Sequence, residues 1–315
     1  MVVSASFATP PNGMRKLLTL LLLVTLLGVA AGCGGDDEEP EADEGAPTGA
    51  VDTGAAEPDP CTPEELELVS DGTLTIGTDN PAFPPWFQDA EGAPWDPTTE
   101  PTQQGYEAAV AYAVAEELGF SDDQVEWAVV PFDNVFRPGP KPFDFDINQV
   151  SFTEERDQAV DFSDSYYDVQ QAVVTLESSD YAGATSLADL QGAKLGAPVG
   201  TTSFDVIEST IAPGEDPAVF NTLNDAVSAL SNRQVDGIVV DLPTSFFITA
   251  VQVPNGHIVG QVAAESQEYF GMVFEEGNPL RDCVNEALAA LREDGTLDQI
   301  EQEWITDRAN APVLE

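Results

Sequence analysis

The sequence predicts an α/β fold, and two patterns carry that prediction. Short alternating or continuously apolar runs recur along the chain, and between them lie stretches whose apolar residues repeat every three or four positions. The first pattern marks strands and the second marks helices with one apolar face. Their alternation belongs to sheets covered by helices.

Taken in order, residues 73–78 (TLTIGT) alternate as a strand. Tyr106, Val110, Val114 and Leu118 then recur every fourth residue and form one helix face that stops at Gly119. Residues 124–130 (QVEWAVV), 170–175 (QQAVVT) and 194–198 (KLGAP) read as further strands, and 202–210 as a helix. Leu223, Val227 and Leu230 mark a helix, followed by the strand 237–241 (GIVVD). Val284, Leu288 and Leu291 line a helix closed by Gly295, and Thr296 with Gln299 predicts a capping box for a last helix bearing Ile300 and Trp304. His257, the single histidine, is placed in a PNGHIVG turn.

The chain's beginning has a different character. No acid occurs in residues 1–32, Arg15 and Lys16 form a basic start, and 17–31 is a continuous mainly apolar run. At helical rise that run spans about 22 Å, short of a ~30 Å hydrocarbon core, so it reads as the core of a signal peptide. It ends Ala30-Ala31-Gly32-Cys33, which resembles a bacterial lipobox and makes Cys33 the expected lipidated N-terminus. Residues 33–60 hold ten acids and no base, too little apolar surface to order themselves, and read as an extended tether. Cys61 and Cys283 then remain, either as a disulfide in an oxidising compartment or as two buried thiols.

Charge excludes several partners. The 315 residues include 57 acids and 10 bases, for a formal net charge of −47. Such a field repels nucleic acid and anionic membrane surfaces. No Walker loop, metal-ligand spacing, nucleophile elbow or cysteine–histidine pair suggests enzymatic chemistry.

Against this acidity, Arg156 stands out. Residues 143–167 (FDFDINQVSFTEERDQAVDFSDSYY) run from an alternating segment into a polar turn carrying Ser151 and Thr153, then Arg156. By itself this arginine reads as a partner of a surface acid. Gly200-Thr201-Thr202 follows a strand and opens a helix, and Asp241 ends another strand, where open α/β sheets place ligands. Alone, these are ordinary helix caps.

Together the segments resemble family 3 of the bacterial extracellular solute-binding proteins, over about Leu74 to Trp304. The resemblance implies a periplasmic-binding-protein-like α/β fold of type II, two lobes joined by two crossover strands that serve as a hinge. The first lobe is expected at 61–169 plus 266–315, with 170–265 inserted as the second, and Cys61–Cys283 would staple the ends of the first. It also implies an amino-acid site. Arg156 would grip the α-carboxylate with its fork of donors, assisted by Ser151 and by Gly200, Thr201 and Thr202. Asp241 would take the α-ammonium.

Phe83 and Phe132 would wall the ligand's side chain, with core packing as their alternative, and Trp86 lies nearby. Asp79 would read a cationic side chain or serve as a turn residue. Asn148 and Gln149 stand where relatives often have Ser or Gly, so specificity is expected to depend on them. The implied partners are a free amino acid and an ABC permease with its ATPase. The protein is expected to be a monomer without cofactor, held outside the cell membrane by a lipid anchor alone. Two alternatives share the fold: an enzyme such as a cyclohexadienyl dehydratase or lytic transglycosylase, and a ligand sensor for a separate receptor.

Overall fold

The computed structural model describes residues 59–262, 268–305 and 311–314. The signal segment, Cys33 and nearly all of the expected tether lie outside the described residues. Two sheets, each wrapped by helices, form the two lobes.

The first sheet is built from β1 (Leu74–Thr78), β2 (Val125–Val129), β3 (Phe145–Asp146) and β4 (Asp161–Phe162). β5 (Tyr167–Val169) leaves this lobe, and β6 (Gln171–Leu176) enters the second sheet with β7 (Leu195–Pro198), β8 (Ala218–Phe220), β9 (Gly237–Asp241) and β10 (Gly256–Val262). β11 (Glu268–Phe270) returns antiparallel to β5, so these two crossover strands pair with each other. β12 (Val273–Phe274) completes the first sheet in the order β2-β1-β3-β12-β4. β13 (Val313–Leu314) joins the second, whose order is β13-β10-β6-β9-β7-β8. The chain's end thus departs from the expected first-lobe segment 266–315, because Val313 and Leu314 pair with Gln261 and Val262.

Helix α1 (Tyr106–Glu117) carries the predicted apolar face and ends at Leu118, with Gly119 at φ +85°. α2 (Phe132–Val135) is a single turn after β2, α3 (Thr202–Val206) runs on through a wider turn at Ile207–Ile211, and α4 (Leu223–Ser231) follows β8. α5 (Leu242–Phe247) starts directly from β9. α6 (Leu280–Glu293) and α7 (Thr296–Trp304) pack against α1. The predicted capping box of α7 does not form. Gly295 is the cap, in left-handed conformation, and the Thr296 N–H is taken by the Asp294 carboxylate. His257 also moves from its expected turn: the chain has already turned by Gly256, and His257, on β10, pairs with Thr175 of β6.

The second sheet shows why its strands read clearly. Val173 and Val239 pack on one face with Leu195 and Ile207, whereas Val174, Ile238 and Val240 pack on the other with Leu230 and Ile248. That period of two places an apolar core on both faces. In the first lobe an aromatic group sits where the crossovers leave: Trp86 packs edge-on against Tyr106, Tyr167 and Phe270 at 5.2–5.9 Å. Gly105 allows this. Its φ is +106°, and a Cβ there would lie 2.3 Å from the Trp86 carbonyl oxygen.

Cys61 and Cys283 are bonded, with their Cα atoms 5.4 Å apart across 222 residues of sequence. Closing so long a loop removes denatured-state entropy worth about 5 kcal/mol in the chain-entropy model. Cys283→Ser is therefore expected to lower unfolding free energy in urea by a few kcal/mol. A midpoint and slope equal to wild type would show that the bridge adds nothing.

Candidate functional site

A cavity of about 550 Å³ lies between the lobes. Its walls come from the segment after β1, the start of α2, the loop 148–151 and Arg156 on one side, and from the starts of α3, α4 and α5 on the other. Every starting point is the carboxyl end of a strand or the loop after it, the place where open sheets leave helix starts and unpaired backbone.

Arg156 opens a tight turn, its N–H donating to Thr153 Oγ1 at 3.1 Å. Its guanidinium crosses the cleft. Nη1 donates to the Ser151 carbonyl at 2.6 Å and Nη2 to the Gly200 carbonyl, on the other lobe, at 2.8 Å. The plane rests over Phe136, 4.3 Å from its centroid, with Phe132 at 5.7 Å. Phe136 is a support the sequence reading missed. Burial lowers the guanidinium's pKa, while Asp205, Glu268, Glu155 and Asp241 oppose that effect. An arginine stays charged throughout.

Gly200, at φ +73°, turns the chain from β7 into α3. The Thr201 hydroxyl faces the backbone, donating to the Pro198 carbonyl at 2.8 Å and accepting from the Phe204 N–H at 3.3 Å. Thr202 points across the cleft, its hydroxyl 3.3 Å from that of Ser151. Ser151 Oγ also donates to Glu268 Oε1 at 2.5 Å.

Asp241 ends β9 and caps α5 with its backbone, but its side chain forms no cap bond. Oδ1 instead accepts from Gln171 Nε2 at 2.8 Å, and Gln171 Oε1 accepts from Ser203 Oγ at 2.7 Å. Burial first, then the carboxylates of Glu268 and Glu107, push the Asp241 carboxyl up to about 8, against the Gln171 bond. Asp79 is half-buried and raised mainly by burial, while the N–H groups of Asn80 and Phe132 hold it down.

The other predicted residues divide. Phe83 lines the cavity and reaches Phe247 of the other lobe at 6.3 Å, and Phe132 lines it against Phe136. Gln149 borders the cavity but turns its amide onto Glu107. Trp86 is core, 1% exposed, yet its Nε1 donates across the lobes to Thr244 Oγ1 at 2.9 Å. Asn148 lines the cavity, and its Nδ2 is buried with no partner among the described residues.

Glu107, Gln171 and Glu268 also escaped the sequence reading. Only Glu107 leaves a trace there: it is the single charged residue in 106–115 of a helix otherwise apolar on nearly every side. Gln171 and Glu268 look like ordinary strand ends. Among the described residues no group of His, Cys, Asp and Glu is placed to hold a metal ion.

Two lobes on paired crossover strands, with a cavity between them that carries both charged and apolar side chains, define a two-lobe solute-binding protein. The chain belongs to the bacterial extracellular solute-binding proteins, family 3, which it matches over residues 74–307. It is 27% identical to the L-cystine-binding protein TcyJ of Escherichia coli over 239 residues, 74% of this chain and 82% of that one. It is also 27% identical to the L-cystine-binding protein TcyA of Bacillus subtilis, covering 92% of this chain and 97% of the relative. Among solved structures, an ancestral arginine-binding protein bound to glutamine is 30% identical with a TM-score of 0.60, covering 75% of this chain and 99% of that protein.

Proposed function

We propose that this protein captures a free polar amino acid between its lobes and delivers it, unchanged, to the permease and ATPase of an ABC importer. The observation that carries this reading is one cavity with a guanidinium on one lobe and a buried carboxyl on the other. A zwitterion removed from water needs both charges met, since a buried unpaired ion costs several kcal/mol. Relatives named for binding cystine and arginine support the ligand class.

The carboxylate would take the Arg156 N–H groups not spent on Ser151 and Gly200, with Ser151 and the backbone at Gly200, Thr201 and Thr202 beside it. The ammonium would lie against Asp241. Phe83 and Phe132 would flank the side chain, and Asp79 is close enough to the same cavity to read its far end. Asp79, Asp133 and Asp241 line the cavity with Arg156 as its single base. This balance favours a neutral polar or cationic side chain and disfavours an acidic one. The lobes would swing as 61–169 with 266–305 against 170–265, with β5 and β11 as the hinge.

The apolar run 17–31 and the Ala-Ala-Gly-Cys sequence support a lipoprotein, with Cys33 lipidated and 33–60 as its tether. Cys33→Ser in the native cell should move the protein from the membrane fraction to the soluble one. Continued membrane recovery would contradict the anchor.

Calorimetry with the common amino acids tests the site. Binding is expected for neutral polar or cationic members, not for aspartate or glutamate, with mass spectrometry recovering the ligand intact. Arg156→Ala should weaken binding at least tenfold, about 1.4 kcal/mol. Wild-type affinity in that variant would place the carboxylate anchor elsewhere.

Asp241 adds a pH dependence of definite sign. With its carboxyl raised to about 8, it holds a proton at neutral pH that an incoming ammonium must expel. Affinity should therefore rise by up to about tenfold per pH unit from 6 to 8, then level. Calorimetry at pH 7 in buffers of different ionisation enthalpy should show close to one proton released per ligand. Zero release would remove Asp241 from the ammonium site.

A further inference from the structure

Glu107 stands in the first turn of α1, entirely buried, and takes no part in lining the cavity. Three donors converge on its carboxylate. The Gln149 N–H reaches Oε1 at 2.7 Å, the Gln149 side-chain amide reaches Oε2, and the Tyr166 hydroxyl reaches Oε1 at 2.5 Å. Helix α1 packs on α6 and α7, so the carboxylate is fixed in the frame of the first lobe.

Gln149 is held at φ +49°, a left-handed conformation that a residue with a Cβ adopts only when its surroundings impose it. Both of its bonds to Glu107 impose it. On one side of Gln149, Asn148 lines the cavity, and two residues further along Ser151 offers its carbonyl to Arg156 and its hydroxyl to the cleft. Backbone bonds tie the ends of this loop, Ile147 to Gly77 on one side and Val150 and Phe152 to Gly271 and Tyr269 on the other, and its middle, at Gln149, is held by one buried acid. We propose that Glu107 is a positioning residue for the cleft, holding the loop 148–151 in its binding shape through Gln149, so that ligand affinity depends on this carboxylate. The affinity part rests on the amino-acid reading; the positioning part does not.

The groups facing Glu107 come from every element around it. Tyr166 precedes β5, Asp146 lies on β3, Asp241 ends β9, and Tyr106 is its neighbour on α1. Burial raises both tyrosines, which remain neutral donors. Asp146 is buried with both oxygens unpartnered among the described residues, and burial together with Glu107 and Asp79 pushes its carboxyl well above the usual carboxylate range, with Lys141 opposing. Glu107 itself is raised to about 7 by burial, against the bonds from Tyr166 and Gln149. A proton added there removes the charge that its three donors meet and sets an O–H against the Gln149 N–H groups, which cannot accept, so the loop loses an anchor as pH falls through 7.

Hydrogen exchange of the segment 147–152 in the ligand-free protein tests this, with rates corrected for intrinsic pH dependence. Wild type should gain protection between pH 6 and pH 8. Glu107→Gln should exchange at least about tenfold faster there at pH 8 and show no such gain, while β6 and β9 stay protected. Tyr166→Phe removes one donor to the charged form and should move the gain to higher pH. Titrations with L-arginine, L-glutamine and L-cystine should show Glu107→Gln weakened several-fold at pH 8. If none of the three binds wild type, the amino-acid reading fails while the exchange result still decides the positioning role. Unchanged exchange in Glu107→Gln overturns the proposal, and if that variant does not fold, an unshifted Tyr166→Phe profile does so.

Discussion

Arg156 donates at once to the Ser151 carbonyl of one lobe and the Gly200 carbonyl of the other, and the arrangement of the cleft follows from that span. A guanidinium held between two carbonyls over a Phe136 ring is partly desolvated, and among the described residues no acid is in hydrogen-bond contact with it. Its surroundings hold it by dipoles and a π face, which leaves further N–H groups able to meet an anion. A permanent carboxylate partner would neutralise it. In a chain with 57 acids this exclusion is itself a constraint, met by capping and turning nearby acids elsewhere. Asp241 is tied to Gln171, and Glu268 accepts from Ser151.

The opposite lobe repeats the device with the sign reversed. Asp241 lies among carboxylates and its carboxyl is pushed up to about 8, mainly by burial, so its negative charge is suppressed at neutral pH. Neither lobe alone can satisfy a zwitterion. Closure is favoured by a ligand only through contacts it makes with both lobes, because equal affinity for open and closed states shifts nothing. With Arg156 on one lobe and Asp241 on the other, a ligand that met both groups would contact both lobes at once. Direct bonds between the lobes, such as Trp86 to Thr244 beside the crossover strands, set the balance on which the ligand acts.

The sequence made the repeated elements and the motif residues legible. The four-residue repeat from Tyr106 to Leu118 and the apolar run at 237–241 correspond to α1 and β9, because burial on a regular element leaves a regular pattern. Two-residue strands such as β3, β4 and β12 have no period to read, and Gly256 was read as turn when it opens β10. Arg156, Gly200 and Asp241 were singled out through short motifs. Glu107, Gln171 and Glu268 were missed because their meaning lies in partners 42, 70 and 117 residues away. Gln149 was picked out as unusual for its place, and its contact with Glu107 was not foreseen: it borders the cavity while its amide faces inward.

That inward turn shows how a loop at the cleft can hold a left-handed backbone with a residue other than glycine. A glycine reaches positive φ without steric cost, whereas glutamine at +49° needs compensation. Here the compensation is supplied by the same side chain that creates the cost, through a carboxylate on a helix packed into the first lobe's core. The backbone N–H bond to Glu107 would serve a glycine equally well. The side-chain bond is an addition that only a residue of this length and donor type can make. Loop shape is thereby tied to a buried ionisable group, and the cleft inherits a sensitivity to the charge state of an acid that never meets the ligand.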